Sequence, residues 1–270
     1  MNTLQGKKTC YYRSIWLSDI HLGHKGCKAE YLLDFLQSMR SGTLYLVGDV
    51  IDVWSMQRNM HWPPSHNSIV RAILEKAREG TRIIYIPGNH DEQFREYAGM
   101  IFGNIEIHDE YVHLTPAGKR ILLLHGDIYD AIMKCSSIKN YLGNLGYELL
   151  LYINRHVSKL RNRMGLPYWS LSAFVKRNVS TAMQHVYHFE KVVAYDAKKR
   201  GFDGVVCGHI HYAGMREIDG TLYCNDGDWV ENCTALVEGE DGQLELLHWT
   251  ERQMTLHVRH ADRHAEAAAA

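Results

Sequence analysis

Leu44-Tyr45-Leu46-Val47-Gly48-Asp49 is a run of four apolar residues that stops at a glycine and a carboxylate. A run this short and continuous reads as a strand buried on both faces, since a half-exposed strand would alternate. The same pattern recurs on either side of it. Ile15-Trp16-Leu17 precedes Asp19-Ile20-His21, and Ile83-Ile84-Tyr85-Ile86 precedes Gly88-Asn89-His90-Asp91. Ile121-Leu122-Leu123-Leu124 precedes His125-Gly126-Asp127, and Val205-Val206-Cys207 precedes Gly208-His209-Ile210-His211. Helical spacing lies between the early runs. Ala29–Met39 places Tyr31, Leu32, Phe35, Leu36 and Met39 on one face, and Asn67–Glu79 does so with Ile69, Val70, Ile73, Leu74 and Ala77. Asn67 is the expected N-cap of the second helix and Gly80 its C-terminal stop. Strand and helix alternate, which predicts a layered α/β domain with a largely parallel sheet. Beyond Gly201 strand-like patterns return, through Gly214–Tyr223 and Thr234–Trp249.

Residues 130–200 break this pattern. Leu142, Leu145, Leu149, Ile153, Val157 and Leu160 step by three or four, and twelve basic residues stand against four acidic ones. The whole chain of 270 residues carries only −1, so a basic amphipathic helical insertion interrupts an acidic core. The expected organisation is a core in two parts, 1–129 and 201–252, with the insertion between them and a flexible tail at 253–270. At 46% hydrophobic residues the core needs no staples. Cys10, Cys27, Cys135, Cys207, Cys224 and Cys233 form no C-x-x-C pair and read as buried thiols in a reducing compartment. Met1 to Arg13 holds no apolar stretch of a secretory signal, and no run reaches the length of a membrane span. A cytosolic protein is expected, with room for contact at a membrane surface.

In an α/β sheet, ligands gather at the carboxyl ends of the strands, where residues distant in sequence become neighbours. Asp19, His21, Asp49, Asn89, His125, His209 and His211 all stand there, as do His90 and Asp91. Each piece alone is weak: a lone Gly-Asp is usually a turn, and a lone buried histidine is usually a core residue. Five such pieces in order, each at a strand end, are not coincidence. An Asp-x-His or His-x-His pair on an extended segment would aim both side chains to one side. Oxygen and imidazole donors without thiolate suit manganese, iron or zinc.

The series Asp19-x-His21, Gly48-Asp49, Gly88-Asn89-His90-Asp91, His125 and Gly208-His209-x-His211 resembles the signature of the calcineurin-like metallophosphoesterases. The resemblance implies a four-layer α/β/β/α sandwich and hydrolysis of a phosphoester by metal-activated hydroxide. It implies one divalent ion on Asp19, His21, Asp49 and His211, and a second on Asp49, Asn89, His125 and His209. His90 would protonate the leaving oxygen, with Asp91 orienting it. Within this superfamily, Leu17–Gly23, Tyr45–Asp52, the helical insertion and Asn225-Asp226-Gly227-Asp228-Trp229 are similar to the bacterial UDP-2,3-diacylglucosamine diphosphatases of the lipid A pathway and their paralogues. That likeness implies a lipid-linked sugar nucleotide as substrate, cleaved to UMP and diacylglucosamine 1-phosphate, and the cytoplasmic membrane as a partner surface. A nucleic-acid partner is not expected. His90 departs from the pattern, because the best-known of those enzymes carry arginine there. The departure points to a paralogue acting on another phosphoester.

Overall fold

A computed structural model describes residues 10–130 and 180–250. Residues 131–179, most of the expected insertion, and the expected tail lie outside them.

Two sheets face each other. The larger contains β1 (Cys10–Leu17), β2 (Met39–Val47), β3 (Arg82–Ile86), β4 (Ile101–Phe102), β5 (Ile105–Ile107), β11 (Thr234–Glu238) and β12 (Leu244–His248), in the order β12-β11-β1-β2-β3-β5-β4. The smaller contains β6 (Tyr111–Leu114), β7 (Arg120–Leu123), β8 (Gly204–Cys207), β9 (Gly214–Ile218) and β10 (Thr221–Asn225), in the order β6-β7-β8-β10-β9. The centre of each is parallel, and antiparallel strands close the edges. The largely parallel sheet read from the apolar runs is thus two mixed sheets, stacked as in the α/β/β/α sandwich that the resemblance implies. Apolar runs report that a strand is buried, not which sheet it joins.

The period of two explains the layering. Ile15, Leu17, Leu44, Leu46, Ile83 and Tyr85 face outward onto α1 (Ala29–Ser38) and α3 (Pro64–Arg78). Their neighbours Trp16, Tyr45, Val47, Ile84 and Ile86 face inward and meet Ile121, Leu123, Val206 and Cys224 of the other sheet. On the far side Leu122, Leu124, Val205 and Tyr223 pack against Phe189, Val193 and Ala197 of α4 (Ser180–Lys199). The result is helix, sheet, sheet, helix. Helix α4, which falls inside the expected insertion, is the outer layer of the smaller sheet.

Local signals account for the helix ends in part. Gly80 adopts φ +102°; its N–H reaches Ala77 O and that of Thr81 reaches Lys76 O, the Schellman closure expected there. The start differs. Helix α3 begins at Pro64, and Asn67 lies within it, accepting from Trp62 Nε1 at 2.8 Å. Proline is pre-organised for a first turn and outcompetes the later cap.

One polar chain crosses the sandwich. Tyr45 Oη lies 2.9 Å from His113 Nδ1, and His113 Nε2 lies 3.1 Å from Glu238, which also pairs with Arg13. Each buried polar group finds a partner on another strand, which favours this register of sheet on sheet.

Phe35 is fully buried, with the rings of Trp229 and Trp249 each 5.3 Å away. Phe35→Ala should cost about 3–5 kcal/mol in urea unfolding. The exposed Phe102→Ala should change stability by no more than about 0.5 kcal/mol. Equal losses at the two positions would contradict this layering.

Candidate metal centre

The five segments that follow β1, β2, β3, β7 and β8 meet at one end of the sandwich. The ladder between β1 and β2 continues past the strands, with His21 N–H to Asp49 O at 2.8 Å and Leu22 N–H to Val50 O at 2.9 Å. The ladder between β7 and β8 continues likewise, with Gly208 N–H to His125 O at 3.1 Å, and the two sheets are stitched by His209 N–H to Asp19 Oδ2 at 2.8 Å.

The expected extended Asp-x-His and His-x-His geometry is absent. Asp19, His21, Asp49, His209 and His211 have φ between +50° and +69°. These are five of the seven non-glycine residues with positive φ among the described residues. The left-handed region costs energy for a side-chain-bearing residue, and such conformations persist where surroundings impose them. Here the chain turns sharply at each strand end, so that the side chain, not the backbone, points into the centre. Close approach needs glycine. A Cβ on Gly88 would overlap Asp49 Oδ1 and the His125 ring, and one on Gly208 would overlap Asp19 Oδ2 and Ser18.

Each carboxylate is anchored by one oxygen and offers the other. Asp19 Oδ2 accepts from His209 N–H, while Oδ1 lies 3.0 Å from His211 Nε2 and 3.7 Å from His21 Nε2. Asp49 Oδ1 accepts from His90 N–H at 2.8 Å, while Oδ2 lies 3.4 Å from His125 Nε2 and 3.8 Å from His21 Nε2. The imidazoles are held from behind. His125 Nδ1 lies 3.0 Å from Val47 O, which can only accept, so Nδ1 carries the proton and Nε2 faces inward. His21 Nδ1 lies 3.1 Å from Asp52 Oδ2, and its Nε2 faces His211 Nε2 at 3.3 Å. Backing of this kind fixes a metal-ligating imidazole.

The donor atoms fit a pair of cations. Asp19 Oδ1, Asn89 Oδ1 and His125 Nε2 are buried with no hydrogen-bond partner. Asp19 with His21 and His211, His21 with Asp49 and His90, and Asp19 with Asp49 and His125 form three overlapping groups able to hold a metal ion. Buried polar atoms left without a hydrogen-bond partner are costly unless a cation takes that place. His209 stands at the rim, outside these groups. Its ring lies 5.1 Å from that of His125, and its Nε2 is 2.7 Å from Asp130 Oδ1, which leaves Nδ1 for a ligand.

Electrostatics agree. Burial opposes ionisation of Asp19 and Asp49, but the facing histidines outweigh it and hold both carboxyls well below the usual range. Burial also opposes protonation of His125, yet the charge and hydrogen bond of Asp49 lift it to about 10. Divalent cations compete for the same nitrogens, so binding releases protons.

Asp91 does not orient His90. It is fully buried and accepts from Gly88 N–H at 2.6 Å, Val50 N–H at 2.8 Å and Tyr85 Oη at 2.6 Å, so it buttresses the loop that carries Asp49. The partner of His90 Nδ1 is Asp52 Oδ1, at 2.9 Å. The sequence holds the signal, an aspartate three residues after Asp49, but adjacency to His90 favoured the wrong carboxylate.

The calcineurin-like phosphoesterase family matches residues 12–213. The chain belongs to that family. It is a metal-dependent phosphoesterase. Curated relatives include the UDP-2,3-diacylglucosamine hydrolase of Blochmanniella pennsylvanica, 25% identical over 76% of this chain and 81% of its own. That of Psychromonas ingrahamii is 28% identical over 87% and 96%, and that of Pseudomonas fluorescens 27% over 89% and 97%. Among solved structures, an archaeal phosphodiesterase aligns with a TM-score of 0.43 and 14% identity over 87% of this chain and 98% of its own.

Gly88→Ala should leave the circular dichroism of this phosphoesterase unchanged while lowering both bound metal and turnover. Full metal content by plasma mass spectrometry, with full activity, would mean that Asp49 and His125 are not confined as described.

Proposed function

We propose that Asp19, His21, Asp49 and His211 hold one divalent cation, and that Asp49, Asn89, His125 and His209 hold a second, Asp49 being shared. The observation that carries this reading is the set of buried polar atoms turned toward one another, with the imidazoles of His21, His125 and His209 each backed by a fixed partner. Oxygen and nitrogen donors without thiolate favour manganese, with iron or zinc as alternatives. Cations bound there would supply Lewis acidity toward a phosphoryl group and water.

The protein's own part is placement. Asp49 Oδ1 and Asp19 Oδ2 are tied to backbone, so their free oxygens have fixed directions. His90 presents Nε2 to the same centre, 3.9 Å from Asp49 Oδ2, while Asp52 holds its Nδ1. This is the arrangement of a general acid whose proton goes to the departing oxygen. Asp91 acts on the fold of the loop, not on the proton.

The substrate we propose is a lipid-linked sugar nucleotide, UDP-2,3-diacylglucosamine or a close chemical relative, cleaved at the pyrophosphate to UMP and an acylated sugar 1-phosphate. The shared name of the relatives supports it. So does the basic, amphipathic composition of the insertion, which suits a cap over acyl chains at an anionic surface on the inner face of the cytoplasmic membrane. Among the described residues no helix is long and apolar enough to cross a membrane. A second reading, a phosphodiesterase for another, non-lipid phosphoester, is favoured by His90 in the position of the arginine.

His90→Ala should retain metal and lose roughly 10²–10⁴ in kcat, with smaller losses for better leaving groups. Substrate choice is tested by presenting the purified chain with UDP-2,3-diacylglucosamine and with soluble nucleotide diesters. Efficient release of UMP from the lipid supports the first reading. Indifference to the lipid with rapid cleavage of the diesters establishes the second.

A further inference from the structure

We infer that Trp54 is a positioning residue for the His90 proton and thereby governs how well this phosphoesterase expels poor leaving groups. The inference rests on the proton-donor reading of His90. Trp54 stands on the first turn of α2 (Val53–Arg58), a short helix whose residues are all at least partly exposed. A tryptophan 36% exposed on such an element contributes little to a core. What it does touch is His90, with ring centroids 4.6 Å apart and planes tilted by 38°.

The contact completes a three-sided seat. Asp52 Oδ1 takes Nδ1 of His90 at 2.9 Å, and the ring of His21 meets the imidazole edge to face at 4.7 Å and 86°. Trp54 adds a flat indole as the third contact. The Nε2 edge, turned toward Asp49, is left for substrate. The seat and the platform are built by one carboxylate. Asp52 Oδ1 also accepts from Ser55 N–H at 2.8 Å, which caps the turn that presents Trp54, and Val53 N–H donates to His90 O at 3.1 Å. The position of the indole is therefore tied to that of the imidazole. One hydrogen bond lets an imidazole swing about it, whereas a ring packed on its face does not. A donor that swings by an ångström delivers its proton poorly, and the loss falls on leaving groups that most need protonation.

The test uses the full-length, manganese-loaded chain with bis(4-nitrophenyl) phosphate as the good leaving group and diphenyl phosphate as the poor one. The variants are Trp54→Ala, Trp54→Phe, His90→Ala and the Trp54→Ala/His90→Ala double variant, each checked for metal content. Trp54→Ala should lower kcat on diphenyl phosphate by roughly 10- to 100-fold with little change in KM, and should affect the nitrophenyl ester less. Trp54→Phe should restore most of the rate. In the His90→Ala background, Trp54→Ala should cost nothing further, because residues acting through one another are not additive. Additive losses, or a loss confined to KM, would overturn the inference while leaving a leaving-group-dependent His90→Ala effect, and so the donor role, intact. Equal losses for both esters in His90→Ala would remove the donor role and this inference together.

Discussion

Two carboxylates, Asp19 and Asp49, lie side by side and almost wholly buried where the two sheets meet. An unpaired buried charge is expensive, and two of like sign in one place more so. The surrounding structure is arranged to offset that cost. Backbone N–H groups of His209 and His90 each bind one oxygen, and the imidazoles of His21, His125 and His211, from three strand ends, face the others. Of these, His21 is in turn fixed by Asp52 and His125 by the carbonyl of Val47. Left-handed backbone at five of these residues follows from the same demand, since a strand cannot both end and aim its side chain back across its own axis in an ordinary conformation.

How much of this is readable in the sequence depends on whether the determinant is local. The strands are legible because each central residue is apolar whichever face it serves; Trp16 and Leu17 point into different cores, yet both must be buried. Gly80 is legible because a helix stop needs only its own φ. The division into two sheets is not legible in the apolar runs and came only with the resemblance, since nothing in Ile121–Leu124 distinguishes pairing with β8 from pairing with β3. The expected ligands share a pattern of types at strand ends, so their convergence could be foreseen. Their conformation could not, because Asp-x-His reads alike in an extended segment and in a left-handed turn.

The carboxylates after Asn89 and Asp49 show the same limit at finer grain. Asp91 adjoins His90 in sequence, yet its side chain turns beneath the Gly48–Ile51 backbone, where the N–H groups of Asp49, Val50 and Ile51 claim it together with Gly88 N–H and the Tyr85 hydroxyl. Asp52 is 38 residues from His90 but adjacent in space, because the segment after β2 runs alongside both the β1 and β3 segments. A parallel sheet makes such neighbours of strand ends, and sequence distance carries no information about them. The resemblance supplied the ligand set; the side-chain partnerships had to come from geometry.

Asp52 joins two functions that are separate in the sequence pattern. One of its oxygens holds His21 and the other holds His90, while the same side chain caps the turn bearing Trp54. Anything that draws charge toward His21 strengthens its claim on Asp52 and alters what Asp52 offers His90. The two imidazoles therefore cannot be tuned independently on this scaffold. Substitution of the His90 side chain leaves Asp19, Asp49 and His125 in place, because none of those three depends on it for support. Under the role proposed for His90, the donor can be exchanged at that single position while the cation centre is kept.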